Sequence, residues 1–320
     1  MFGRDSKVRE AQVGIGFVFP GQGAQQVGML DDIRAAEPIL NDRLAGASEI
    51  LGFDLGDVIR NGPEERLNQT SVTQPALLTA SVALYEIWCA RGGAAPSIMA
   101  GHSLGEYSAF TAAGSLRFND AVNLVHERGK LMESAVPDGQ GAMAAILGLD
   151  DELVSSICDG VDGVVSAANM NAPGQVVISG ESLAVDNAIS ECSEAGARRS
   201  VKLNVSGPFH CQLMMSAAEE LKSLLDDVEI KKPAIPVIHN VDASLARDPA
   251  GMRDRLVRQL STPVLWSKCV TTMLADGATT FVECGPGKVL SGLLRRIDRN
   301  AEAFEIGSVD DLSVALGEIE

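Results

Sequence analysis

Pro96-Ser97-Ile98-Met99-Ala100-Gly101-His102-Ser103-Leu104-Gly105-Glu106 decides how this 320-residue chain is read. The compact apolar run at 96–100 reads as a buried strand, and it leads straight into a serine flanked by two glycines. Helix-compatible sequence resumes at Glu106. A strand, a Gly-flanked serine and then a helix form the context of a nucleophile elbow. Small neighbours let the chain turn sharply enough to lift the Ser103 hydroxyl above the sheet, and the helix N-terminus behind it supplies positive potential for a developing oxyanion. The same letters also describe a serine in an ordinary Gly-rich strand-to-helix loop, so the surroundings have to carry the assignment.

Upstream, residues 13–19 form a short apolar run that ends in Pro20-Gly21-Gln22-Gly23, as a buried parallel strand entering a tight loop does. Residues 74–88 carry apolar side chains at helical spacing. Downstream the pattern changes to strand (142–147), helix (150–158), strand (164–170), a turn at Asn171-Ala172-Pro173-Gly174, strand (175–179), helix (181–195) and strand (199–203). That order, βαββαβ, predicts a ferredoxin-like subdomain forming one wall of a cleft. Helical segments at 212–225 and 254–260 then alternate with strands at 237–238 and 280–283. The expected fold is α/β: an α/β-hydrolase-like body with a parallel sheet and a nucleophile elbow, spanning 13–138 and 206–320, with the ferredoxin-like unit inserted at 139–205. Residues 1–12, charged with both signs and lacking an apolar stretch, read as a flexible extension and neither a secretory signal nor a transit peptide.

Composition narrows the function classes. A net charge of -17 repels phosphate backbones and anionic lipid, so neither nucleic acid nor a membrane is an expected partner. No apolar run reaches the roughly 18–20 residues needed to span a bilayer, and a cytoplasmic location is expected. The six cysteines show no CxxC pair and no zinc spacing, so they read as free thiols, and no metal is expected.

A serine hydroxyl needs a base within hydrogen-bond reach. Of the four histidines, His102 should point away from its neighbour, His126 lies in a charged helical stretch, and His239 closes a strand before Asn240. His210, on a loop leaving the inserted unit, ranks first by position. No third member of a triad stands out.

Taken together, Phe17-Val18-Phe19-Pro20-Gly21-Gln22-Gly23, Gly101-His102-Ser103-Leu104-Gly105-Glu106-Tyr107, Arg128-Gly129-Lys130, Asn171-Ala172-Pro173-Gly174-Gln175-Val176-Val177, Phe209-His210, Arg258-Gln259-Leu260 and Glu283-Cys284-Gly285-Pro286-Gly287-Lys288-Val289-Leu290 resemble, in order, the motifs of malonyl-CoA:acyl carrier protein transacylases. The resemblance implies that Ser103 carries the acyl group and His210 is its base, the ring being oriented by a backbone carbonyl near Gln259 with no acid required. It implies an oxyanion hole from the Gln22 and Leu104 amides, and Arg128 as the partner of the malonyl carboxylate, which a guanidinium can hold through two parallel hydrogen bonds. Asn171 is implied at the substrate, and a bulky Phe209 beside the histidine should narrow the pocket against branched acyl groups. The implied partners are malonyl-CoA and a holo acyl carrier protein; no bound cofactor is implied, coenzyme A thioester being a substrate. Lys202, Lys231, Lys232, Arg295 and Arg296 are the basic candidates for docking an acidic carrier.

The motif itself is shared with thioesterases and carboxylesterases, which makes a serine hydrolase the rival reading. Arg128 argues against it, because a generic esterase has no need of a buried cation. A discrete acyltransferase serving a polyketide synthase carries the same residues and is not separated from fatty acid synthesis by sequence.

Overall fold

The computed structural model describes residues 14–319; the extension expected at 1–12 lies outside them. Among these residues two sheets form. The larger contains β1 (Gly14–Phe19), β2 (Ile98–Gly101), β7 (Val237–Ile238), β8 (Ala278–Glu283) and β9 (Glu302–Glu305) in the order β7-β2-β1-β8-β9, with every neighbouring pair parallel. The smaller contains β3 (Gly141–Leu147), β4 (Val165–Ala172), β5 (Gln175–Glu181) and β6 (Arg199–Lys202) in the order β4-β5-β3-β6, all antiparallel.

The parallel sheet is buried on both faces, as helix-linked crossovers require. Alternation along β1 sends Ile15, Phe17 and Phe19 into a core with Leu77, Trp88 and Phe110, and Val18 into a second core with Trp266, Phe281 and Leu294. Helices therefore cover each side. The chain is a mixed α/β protein whose body is α/β-hydrolase-like, carrying a small antiparallel unit with the ferredoxin-like strand order.

The small sheet uses its two faces differently. Ala144 and Ile146 of β3, with Val176 and Ile178 of β5, pack beneath the helices Asp151–Gly160 and Ser182–Glu194. Met143 and Val177, on the opposite face, join the core of the main body. Period-two patterning thus turns one face of this unit toward the elbow.

The turn expected at Asn171-Ala172-Pro173-Gly174 is shorter than its letters suggest. Ala172 pairs with Gln175, so β4 runs through Asn171 and the loop is Pro173-Gly174, with Gly174 at φ 70°. Pairing resumes at the residues flanking this two-residue hairpin after a register shift between Met170 and Ala172. The Gly285-Pro286-Gly287-Lys288 segment precedes the helix Val289–Ile297, whose first amides, Leu290 and Ser291, donate to the Glu283 carboxylate at 3.0 and 2.7 Å. An internal carboxylate thus occupies the position an anion would take at this helix end.

Candidate active site

Ser103 sits between β2 and the helix Leu104–Ala112 with φ 52° and ψ -108°, a conformation rarely adopted by a residue with a Cβ. Its glycine neighbours are a steric necessity. A Cβ on Gly101 would lie 1.9 Å from the carbonyl group of Gly105, and one on Gly105 would lie 2.0 Å from the Phe19 oxygen. Asn240 staples the turn: its Oδ1 accepts from the Ser103 amide at 2.7 Å, and its Nδ2 donates to the Gly101 carbonyl at 2.7 Å.

His210 is also held at positive φ, 60°, and is buried. Its Nδ1 donates to the Gln259 carbonyl at 2.7 Å, which leaves Nε2 as the acceptor facing Ser103 Oγ at 2.7 Å. Burial and then the Arg128 charge depress its pKa to about 3. The imidazole is therefore neutral throughout the physiological range and able to take the serine proton.

Arg128 projects from the helix Phe118–Ser134, and Gly129 lets that helix close on Thr70–Ala90, since a Cβ there would meet Ser71 backbone at 2.5 Å. The guanidinium is 1 % exposed. Nη1 donates to Gln74 Oε1 at 2.8 Å, Nη2 to Gln259 Oε1 at 2.8 Å and, longer, to Ser103 Oγ at 3.4 Å. Nε has no partner, and among the described residues no carboxylate lies within 4 Å of the group. Burial lowers its pKa while Tyr107 and Glu106 oppose the fall; a guanidinium remains a cation there at neutral pH.

These three groups line a narrow cleft of about 90 Å³, joined by Gln22 and Leu104. Leu104 is the first residue of its helix, where the amide has no intrahelical acceptor. Gln22 is steadied by its own Nε2, which donates to Thr70 Oγ1 at 3.2 Å. The facing wall is apolar, built from Met143, Val177, Leu203 and Phe209, with Asn169 among them. Asn171 does not line the cleft: two residues farther along β4, it accepts from His102 Nε2 at 2.8 Å. His102, expected to point away from Ser103, packs against Trp266 and lines the same cleft, its Nε2 engaged by Asn171.

Sequence reasoning missed a buried layer behind the elbow. Glu106 accepts from His239 Nδ1 at 2.7 Å, from the Asn240 amide at 3.0 Å and from Gln259 Nε2 at 2.7 Å, and Gln259 Nε2 also reaches the Ser103 carbonyl at 3.0 Å. The hint lay in Leu104-Gly105-Glu106-Tyr107-Ser108-Ala109-Phe110, where Glu106 is the one charge in a helix otherwise apolar or small. Of the basic residues expected to dock a carrier, Lys202 pairs with Asp186, Lys231 with Glu229 and Arg295 with Glu305, while Arg296 donates to Gln175. Among the described residues no cluster of His, Cys, Asp and Glu could hold a metal ion, and no helix is long and apolar enough to cross a membrane.

An elbow serine hydrogen-bonded to a neutral histidine, on an α/β-hydrolase-like body, defines an enzyme equipped to form acyl esters, and the buried guanidinium beside it suits a carboxylate-bearing acyl chain. Residues 16–308 match the acyl transferase domain family, to which the chain belongs. It is 51 % identical to the malonyl CoA-acyl carrier protein transacylase of Escherichia coli K12 over 302 residues, 94 % of this chain and 98 % of that protein. The acyl carrier protein S-malonyltransferase structure from Vibrio cholerae superposes with a TM-score of 0.92 at 49 % identity, covering 94 % of this chain and 99 % of that one. A malonyl-transacylase solved in complex with a holo type II polyketide acyl-carrier protein matches with a TM-score of 0.94 at 47 % identity, covering 95 % and 99 %.

Proposed function

We propose that the chain transfers a malonyl group from malonyl-CoA to the phosphopantetheine thiol of an acyl carrier protein, through an ester on Ser103. The observation that carries the substrate assignment is Arg128: a cation 1 % exposed, without a carboxylate partner among the described residues, whose Nη2 lies 3.4 Å from the Ser103 oxygen. A neutral acyl group has nothing to offer it, whereas malonate supplies the two oxygens that a guanidinium fork matches.

In the first half-reaction Ser103 Oγ attacks the thioester carbon as its proton passes to His210 Nε2. The Gln22 and Leu104 amides receive the oxyanion, a donor pair in which each member is typically worth about 100- to 1,000-fold in turnover. The C–S bond breaks, and the departing thiolate takes the proton from His210. The second half-reaction reverses these roles: His210 takes the proton of the carrier thiol, sulfur attacks the ester carbonyl, and Ser103 leaves with the proton. Because the Arg128 charge opposes protonation of His210, pairing that charge with the substrate carboxylate makes the imidazolium easier to form. The apolar wall of Met143, Val177 and Phe209 supports exclusion of water while the ester waits. Segment 139–205 is proposed as the unit that closes this wall over the body formed by 13–138 and 206–320, and the reaction requires no resident cofactor. A cytoplasmic setting, where coenzyme A thioesters and carrier proteins meet, fits the reaction.

Intact mass after brief mixing with malonyl-CoA or acetyl-CoA tests this reading. Native protein is expected to gain one malonyl, Ser103→Ala none, and Arg128→Ala to lose its preference for malonyl over acetyl. Consumption of malonyl-CoA with no ester trapped and no carrier present would put the hydrolase reading in its place.

A further inference from the structure

Two buried opposite charges at the site do not touch. Glu106, fully buried, receives three N–H donors on its two oxygens, so both act as acceptors. Among the described residues Arg128 donates only to neutral oxygens, from Gln74, Gln259 and Ser103. Between the charges stands one amide: Gln259 Oε1 faces the cation at 2.8 Å, and Gln259 Nε2 faces the anion at 2.7 Å.

We propose that Glu106 is a specificity-determining positioning residue, whose carboxylate, relayed through the Gln259 amide, balances the Arg128 guanidinium without occupying it and so keeps that cation available to a carboxyl-bearing acyl chain. The inference rests on the malonyl-transfer reading and deepens it. A carboxylate directly on Arg128 would form the bidentate pair meant for substrate, and malonate would have to displace it. With no countercharge nearby, the guanidinium would be a buried, uncompensated ion. The amide gives an intermediate arrangement. Arg128 feels the Glu106 charge, yet Nε has no partner and Nη2 still reaches toward the serine. The same amide orients both ends at once, because an amide presents an acceptor to the cation and a donor to the anion.

This arrangement predicts opposite effects from removing the negative charge and from moving it. Glu106→Gln keeps the shape, and the new amide can offer its oxygen to Asn240 and Gln259 while His239 changes tautomer to accept its NH2. The pocket becomes more positive, and malonyl should be favoured over acetyl more strongly than in native protein. Exchanging the two residues, Glu106→Gln with Gln259→Glu, conserves total charge but places the carboxylate against Arg128, and the preference should fall. The Ser103 carbonyl loses a donor in the exchanged protein, which slows both acyl groups; the quantity to read is therefore their ratio.

The experiment measures second-order rates of ester formation on Ser103 from malonyl-CoA and from acetyl-CoA, by acid quench and intact mass, for native, Glu106→Gln and exchanged proteins. The expected order of the malonyl-to-acetyl ratio is exchanged below native below Glu106→Gln, with steps of about tenfold, equivalent to roughly 1.4 kcal/mol each. Any other order overturns the proposal, including a ratio that falls in both variants or moves in neither, as an elbow scaffold without an electrostatic role would give. If circular dichroism shows Glu106→Gln unfolded, the exchanged protein decides alone: a ratio at or above native refutes the proposal. Failure of native protein to acquire malonyl on Ser103 would instead sink the transfer reading itself.

Discussion

Lowering the pH should cost this protein stability through one histidine. His210 has an ordinary pKa of 6.5 and is depressed to about 3 in the fold by burial and by Arg128. The folded state therefore binds the proton more weakly than the unfolded chain. The stability His210 contributes is full above about pH 6.5 and is lost as pH falls toward about 3. Between pH 7.5 and 5.5 the neutral fraction of an unfolded histidine drops about tenfold while that of His210 stays near one, which removes about 1.4 kcal/mol. Both conditions stay above the sequence pI of about 4.6. Urea unfolding of native protein and His210→Gln at the two pH values isolates the effect, since His102, also depressed by burial, is common to both. The stability difference between the two proteins should shift by about 1.4 kcal/mol, native losing more on acidification. Acylation of native Ser103 by malonyl-CoA should be flat over the same range, where a base with an ordinary value would slow about tenfold. A pH-independent stability difference, or a tenfold fall in rate, would show that His210 is solvated and titrates normally, and the neutral-base argument would fail.

Asn240→Ala removes the acceptor of the Ser103 amide and the donor to the Gly101 carbonyl. At about 1–3 kcal/mol for each buried group left unpaired, thermal unfolding should move down by several degrees and kcat should fall by about 10- to 100-fold with KM little changed; an unchanged kcat would remove Asn240 from the elbow's support. Phe209→Ser empties part of the apolar wall and should raise loading of methylmalonyl relative to malonyl by about tenfold in a competition read by mass, whereas an unchanged ratio would place the size limit elsewhere in the cleft.

What was legible in the sequence had local cause. The strand at 98–101, the glycines at 101 and 105 and the helix after Ser103 are adjacent in the chain, and sterics alone demand their order. The βαββαβ order of the smaller sheet was legible for the same reason, because period-two and helical patterns alternate over short distances. What was not legible joins distant segments through single polar residues. Asn240 meets the elbow from a strand end, Gln74 meets Arg128 from the helix Thr70–Ala90, and Glu106, on the elbow helix itself, meets His239 far along the chain; a lone Asn, Gln or His in such a setting has no spacing to announce it. Asn171 illustrates the converse. It belongs to a readable motif, but β4 shifts register between Ala167 and Asn169 and again between Met170 and Ala172, so sequence position did not fix which asparagine would line the cleft. Asn169 does.

With Arg128 and His210 in the roles proposed above, the missing third member of a triad follows from the charge of the substrate. An acid behind His210 would stabilise the imidazolium, as a buried aspartate does in Ser-His-Asp enzymes, but here it would also stand near Arg128, the cation proposed to receive malonate. The Gln259 carbonyl fixes the same tautomer and ring orientation with no net charge. Among the described residues, the one carboxylate joined to this network by hydrogen bonds, Glu106, is set behind the Gln259 side chain. One residue thus keeps negative charge off both partners, its backbone serving His210 and its side chain serving Arg128. A base depressed to about 3 is the result. It is a weak base in the empty site, and the incoming carboxylate, by pairing Arg128, removes part of what holds it down. On the proposed roles of Arg128 and His210, selection for malonyl is built into the proton transfer as well as into binding. With urea unfolding extended down to about pH 4, where the folded-state value begins to matter, the stability difference between Arg128→Ala and its His210→Gln double variant should depend less on pH than the same difference in the native background, because the charge that helps depress His210 is gone; a dependence as steep as in the native background would leave burial as the whole cause.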